Sequence, residues 1–133
     1  VLDMGCGTGI LAILARQLGA NQVLGIDIDE WSIENSIENA EVNNCSEIIF
    51  KKGDASILPS DPSFDTILAN INKNILKQDL PAYCKCLKND GNLLLSGFFT
   101  TDVEELKALA LSIGFNFIDS YHKNEWAVIK LKK

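Results

Sequence analysis

Three glycines at alternating positions, Gly5, Gly7 and Gly9, close the stretch Asp3-Met4-Gly5-Cys6-Gly7-Thr8-Gly9 directly after an apolar run. Glycine accepts backbone dihedrals that other residues avoid, and it lets a ligand approach the main chain. A helix starting here would turn unpaired amides and partial positive charge toward that ligand. Between a strand and an amphipathic helix, such a cluster predicts a binding loop rather than a tight turn alone. A dinucleotide fingerprint would place its last glycine at position 10, and Ile10 stands there.

Asp27 ends the next predicted strand. A carboxylate at that point can accept hydrogen bonds from both hydroxyls of a ribose, and it disfavours a 2′-phosphate. Its neighbour Asp29 is placed to cap the following helix, which leaves Asp27 for the sugar. Asp54, with Ala55 after it, follows the third predicted strand. Its carboxylate suits an adenine amine, with an ordinary turn as the alternative. Asn70 ends the fourth strand, where an amide side chain either forms a turn or faces a ligand. The single histidine, His122, falls in a predicted hairpin turn at the surface.

The elements that position these residues alternate along the chain. Strands are predicted at 1–4, 22–28, 47–52, 64–70 and 92–98, with helices at 8–18, from Asp29 to about 42, at 74–87 and at 102–113. Leu11, Leu14, Ala15 and Leu18 share one face of the first helix, which Gly19 ends, and Ile33, Ile37 and Ala40 mark the core side of the second. Pro81 is expected to break or restart the third helix. Asn89-Asp90-Gly91 reads as a turn. Strands at 115–121 and 125–131, joined through His122-Lys123-Asn124, form a final hairpin. Five βα-type units ending in an antiparallel pair predict an α/β domain with a doubly wound, mostly parallel sheet and helices on both faces. In such a sheet, ligands bind beyond the carboxyl ends of the strands.

The 133 residues suffice for one domain, and 47% hydrophobic with 23% charged residues is an ordinary globular balance. The net charge of −6 lacks the basic footprint of a protein that tracks a phosphate backbone, so direct nucleic-acid binding is not expected. The segment 21–50 carries seven acids and no Lys or Arg, mostly as a solvated helix face. No apolar run is long enough for a membrane span. Four cysteines, Cys6, Cys45, Cys84 and Cys86, show neither a disulfide framework nor the paired spacing of a metal site. They fit free thiols in a reducing cytoplasm. The sequence opens at Val1 inside a strand, which predicts that the natural chain begins earlier.

These residues resemble the signature of the class I S-adenosylmethionine-dependent methyltransferases. Val-Leu-Asp-Met-Gly-Cys-Gly-Thr-Gly is similar to their first motif and Gly-Ile-Asp-Ile-Asp to their second-strand acid. The order of elements fits their Rossmann-like sheet of seven strands with an antiparallel last strand. Within that class the chain resembles the bacterial enzymes that methylate the stalk-base protein of the large ribosomal subunit, its protein eleven. The segments that carry this are Asn35 to Asn43, Leu68-Ala69-Asn70-Ile71, Leu95-Ser96-Gly97 and Glu125-Trp126.

The resemblance implies S-adenosylmethionine as cofactor and one catalytic domain over residues 1–133, with a separate recognition domain and a cofactor loop ahead of it. It places Asp3, Gly5, Gly7, Thr8 and Gly9 around the cofactor's methionine and ribose. Asp27 would hold the ribose, Ile28 would lie against adenine, and Asp54 and Ala55 would sit near the adenine amine. Asn70, the implied catalytic residue, would face the nucleophile beside the cofactor. Ile71, Asn72 and Lys73 replace the Pro-Pro-Tyr of enzymes that methylate a base amine, which points to a protein amine, of a lysine or a chain terminus. A nicotinamide oxidoreductase, a methyltransferase of another protein or an RNA amine, and a binding module without chemistry are the alternatives.

Overall fold

The computed structural model describes residues 1–133, which divide into two compact units, Val1–Ile57 and Leu58–Lys133. The first unit holds β1 (Leu2–Met4), α1 (Ile10–Gln17), β2 (Leu24–Asp27), α2 (Glu30–Val42) and β3 (Ile49–Lys52). Its strands run parallel in the order β3-β2-β1, with Asp3 opposite Gly25 and Asp27 opposite Lys52. Ala12, Ile13, Val23, Ala40, Cys45 and Ile48 form a buried cluster. A 3-10 turn at Ala55–Ile57 follows β3.

Two helix faces differ from those the spacing predicts. On α1 the buried residues are Ala12 and Ile13, while Leu14 and Leu18 remain exposed. The Asp3 carboxylate, itself buried, accepts the Ala12 N–H at 3.0 Å and so pins that side of the helix to β1. On α2 the fully buried position is Ser36, not Ile37, because the Ser36 hydroxyl is engaged with the loop ahead of α1. Asp29 caps α2 as expected, accepting the Trp31 N–H at 3.2 Å.

The second unit holds β4 (Phe64–Asn70), α3 (Lys73–Cys86), β5 (Leu87–Phe99), α4 (Val103–Ile113), β6 (Asn116–Lys123) and β7 (Trp126–Lys132). Its strand order is β4-β5-β7-β6, with β4 and β5 parallel and β7 antiparallel to both its neighbours. The predicted turn at 89–91 is a local bulge inside β5: the register slips between Phe64 and Thr66, and Asp90 takes a positive φ of 64°. Pro81 does not interrupt α3. It faces solvent, where water can take the carbonyl it leaves unpaired, while Leu76, Leu80 and Tyr83 bury the opposite side. The hairpin turn is tighter than predicted. β6 runs through His122, which pairs with Ala127, so the histidine belongs to a strand.

No helix is long and apolar enough to cross a membrane. All four cysteines are free, and Cys6, Cys45 and Cys86 are buried.

Candidate active site

In the first unit the glycines give a short loop its curvature. Gly5, Gly7 and Gly9 take φ of 71°, 54° and 81°, a region that side chains rarely tolerate. The Gly5 and Cys6 amides both donate to the Ile26 carbonyl, at 2.8 and 3.0 Å, which ties the loop to β2. Asp27, half-buried at the end of β2, accepts the Gly7 N–H through Oδ2 at 2.9 Å and the Asp29 N–H through Oδ1 at 3.0 Å. Carboxylate and loop are thus positioned by each other. A Cβ at Gly7 would meet nothing within 4 Å, so the outer side of the loop is open to a ligand.

Asp3 stands behind this loop. It is 1% exposed, and with Oδ2 on the Ala12 N–H its Oδ1 is buried without a partner. Burial raises its pKa to about 6, against the pull of the Ala12 hydrogen bond, and the nearby Asp27 charge adds to the rise. Asp3 therefore acts on the first turn of α1, from the interior.

Helix α2 supplies two residues that the sequence did not single out for this role. The Ser36 hydroxyl donates to the Gly7 carbonyl at 2.7 Å, and Asn39 Nδ2 donates to the Thr8 carbonyl at 2.9 Å. A Cβ at Gly9 would come within 3.2 Å of three Ser36 atoms. The signal is visible in the spacing: Ser36 lies four residues before the buried Ala40, and Asn39 follows Ser36 by three, one turn along the helix.

The remaining predicted residues of the first unit lie on the surface. Ile28 is 68% exposed beside Asp27. Asp54 is exposed and accepts the Ser56 N–H at 2.8 Å, forming the ordinary turn considered above. The hydrogen bonds from Ser56 also hold its carboxyl below the usual aspartate range. Ala55 opens the 3-10 turn behind it.

In the second unit Asn70 ends β4 with its side chain exposed. The turn-forming role belongs to Asn72, whose Oδ1 caps α3 by accepting the Ile75 N–H at 3.2 Å. Asn70's amide, by contrast, takes part in no hydrogen bond of the protein. Gly97 explains how it fits. At φ 89° its missing Cβ would lie 2.7 Å from Asn70 Oδ1 and 2.8 Å from the Ile71 carbonyl, so only glycine leaves room there. A cavity of about 430 Å³ opens beside Asn70 and Gly97, bounded by Ser96 and the β6–β7 hairpin.

Comparison with known proteins assigns the class first. A crystal structure of the ribosomal protein L11 methylase of Lactobacillus delbrueckii subsp. bulgaricus superposes with a TM-score of 0.92 at 30% identity, covering 98% of this chain and 67% of that one. This is the Rossmann-like methyltransferase fold of seven strands. The ribosomal protein L11 methyltransferase of Porphyromonas gingivalis is 52% identical over 130 residues, 98% of this chain and 45% of the relative. That of Phocaeicola vulgatus is 46% identical over 130 residues, again 98% of this chain, and 46% of its own. The chain spans about half the length of these relatives. The family of ribosomal protein L11 methyltransferases (PrmA) matches residues 1–133, and the chain belongs to it.

Proposed function

We propose that residues 1–133 are the cofactor-binding, catalytic domain of an S-adenosylmethionine-dependent N-methyltransferase acting on amines of ribosomal protein L11 in the cytoplasm. The observation that carries it is the mutual support of Asp27 and the glycine loop: a half-buried carboxylate holds the Gly7 amide beside an open loop surface. These residues fit a nucleoside with an amino-acid tail. Gly5, Gly7, Thr8 and Gly9 would line the tail and sugar, Asp27 would take the ribose hydroxyls, and Ile28, Asp54 and Ala55 would border the base. Asp3 holds the first turn of α1 behind them.

When bound, S-adenosylmethionine supplies a methyl group already activated by its sulfonium, so no covalent enzyme intermediate is needed. The chain's part is to hold an amine in line for displacement, with its lone pair free. Asn70, whose amide has no partner within the protein, is the residue assigned to orient that amine. Asn70 would hold the amine with its lone pair directed at the activated methyl group, and the substrate ammonium would leave its proton with water. A lysine amine has an intrinsic pKa near 10.4, so holding it neutral is part of the task.

The test follows labelled methyl transfer to ribosomal protein L11 by the wild-type chain and by Asn70→Ala, with cofactor binding measured alongside. Turnover should fall on the order of a hundredfold while the cofactor dissociation constant stays within about twofold. Loss of cofactor affinity with turnover per bound complex unchanged would refute the assignment of Asn70.

A further inference from the structure

One cross-strand row runs over the second unit. Asn70 on β4 lies opposite Ser96 on β5, Ser96 opposite Val128 on β7, and Val128 opposite Tyr121 on β6. Opposed residues share a sheet face, as do residues two apart on one strand, which adds Trp126 and Lys123, themselves a pair. All six line the cavity beside Asn70. Trp126 is 55% exposed yet braced, its ring stacked on Phe99 with centroids 4.6 Å apart. The row thus leads from a polar end at Asn70 and Ser96 to an aromatic wall, a shape suited to an alkyl stem that ends in an amine.

The cavity's titratable lining groups are Tyr121, His122 and Lys123, all from β6; β4, β5 and β7 contribute none, and no carboxylate lines it. Just outside the cavity on the same face, the Asp119 carboxylate accepts a hydrogen bond from the Tyr121 hydroxyl and lies opposite Lys130. Lys123 takes part in no ion pair, unlike Lys73, Lys77, Lys88 and Lys132 of the same unit. An uncompensated ammonium beside an apolar cavity disfavours a second cation and favours the neutral form of an amine.

We infer that this cavity is the acceptor subsite and that Lys123 is its specificity-determining residue, admitting the substrate amine in its neutral form. The incoming ammonium leaves its proton with solvent, and the alkyl stem lies along Val128, Tyr121 and Trp126. The inference rests on the reading of Asn70 as the residue that orients the amine.

The experiment uses the 133-residue chain carrying Trp31→Phe, so that Trp126 is the sole tryptophan reporter. The probe is Nα-acetyl-lysine amide, titrated at pH 7 and pH 9 with Trp126 emission as readout and no cofactor present. The emission change should saturate, with apparent affinity rising about tenfold or more between the two pH values as the neutral amine becomes more abundant. In Lys123→Glu the probe should bind at least about tenfold tighter at pH 7 and lose most of that pH dependence, because the cavity now favours the ammonium. Nα-acetyl-norleucine amide, which lacks the amine, should bind both proteins alike. No saturable change with either protein, or a pH dependence untouched by Lys123→Glu, would overturn the inference. The reading of methyl transfer fails separately: probe binding that follows this pattern, with no labelled methyl group transferred, removes the reaction and leaves the subsite.

Discussion

The loop after β1 and the strand ends around Asn70 are built on opposite principles. Around the loop nearly every polar group is spoken for: Asp27 holds the Gly7 amide, Ser36 the Gly7 carbonyl, Asn39 the Thr8 carbonyl and Asp3 the start of α1. At Asn70 the amide has no partner within the protein, and the crowding comes from main chain, with Gly97 and the Ile71 carbonyl pressed close. A loop that presents its main chain to a ligand must be rigid before the ligand arrives, since a backbone that reorders on binding gives up affinity. A subsite that meets a protein side chain needs unsatisfied groups, because only those gain a partner when the substrate enters. On the proposed reading, polar saturation belongs to the residues that would hold the cofactor and polar vacancy to those that would meet the amine.

The comparison can be broken at the one buried polar atom of the loop half that lacks a partner. Asp3 is buried with one oxygen unpartnered, and its folded pKa of about 6 lies above the unfolded 3.8. Between those values the folded state binds the extra proton, so stability falls as pH rises through the window and recovers as pH is lowered. The span corresponds to about 3 kcal/mol. Urea unfolding of the wild type and Asp3→Asn at pH 4 and pH 7 should show the wild type gaining about that much relative to the variant at the lower pH. Parallel behaviour of the two proteins would mean that Asp3 is not held as a buried, strained carboxylate.

A smaller effect sharpens the same contrast. Ser36→Ala removes one donor from the Gly7 carbonyl without touching any surface a ligand would meet. The lost hydrogen bond is worth about 1 kcal/mol, which corresponds to roughly fivefold weaker cofactor binding. Ser36→Thr, which keeps the hydroxyl, should recover part of that loss in the same calorimetric titration. Unchanged affinity in a folded Ser36→Ala protein would show that the glycines alone set the loop's shape.

Much of this was legible in the residues. Alternation of apolar strands with helical spacing defines the α/β class, and the strand ends place Asp27, Asp54 and Asn70 at the carboxyl edge of the sheet. What escaped were features that depend on tertiary partners. The rotation of α1 follows from the Asp3 carboxylate on Ala12, so Leu14 and Leu18 read as core although they face solvent. Ser36 lay one residue from the apolar position chosen in its place, and its purpose appears only when the loop carbonyl is beside it. Pro81 obeyed its local rule in losing a hydrogen bond, but packing of Leu76, Leu80 and Tyr83 outweighed that loss. Composition fixes hairpin length poorly, so His122 reads as a turn residue, whereas its pairing with Ala127 puts it in β6.

The central claim is that Asp27 grips the sugar of S-adenosylmethionine while steadying the loop that receives the rest. Isothermal titration of the cofactor into the wild-type chain and into Asp27→Ala tests it most directly. Losing two charge-assisted hydrogen bonds should weaken binding by about 3 kcal/mol, a dissociation constant more than a hundredfold higher. An Asp27→Ala protein that binds the cofactor as tightly as the wild type would contradict the account.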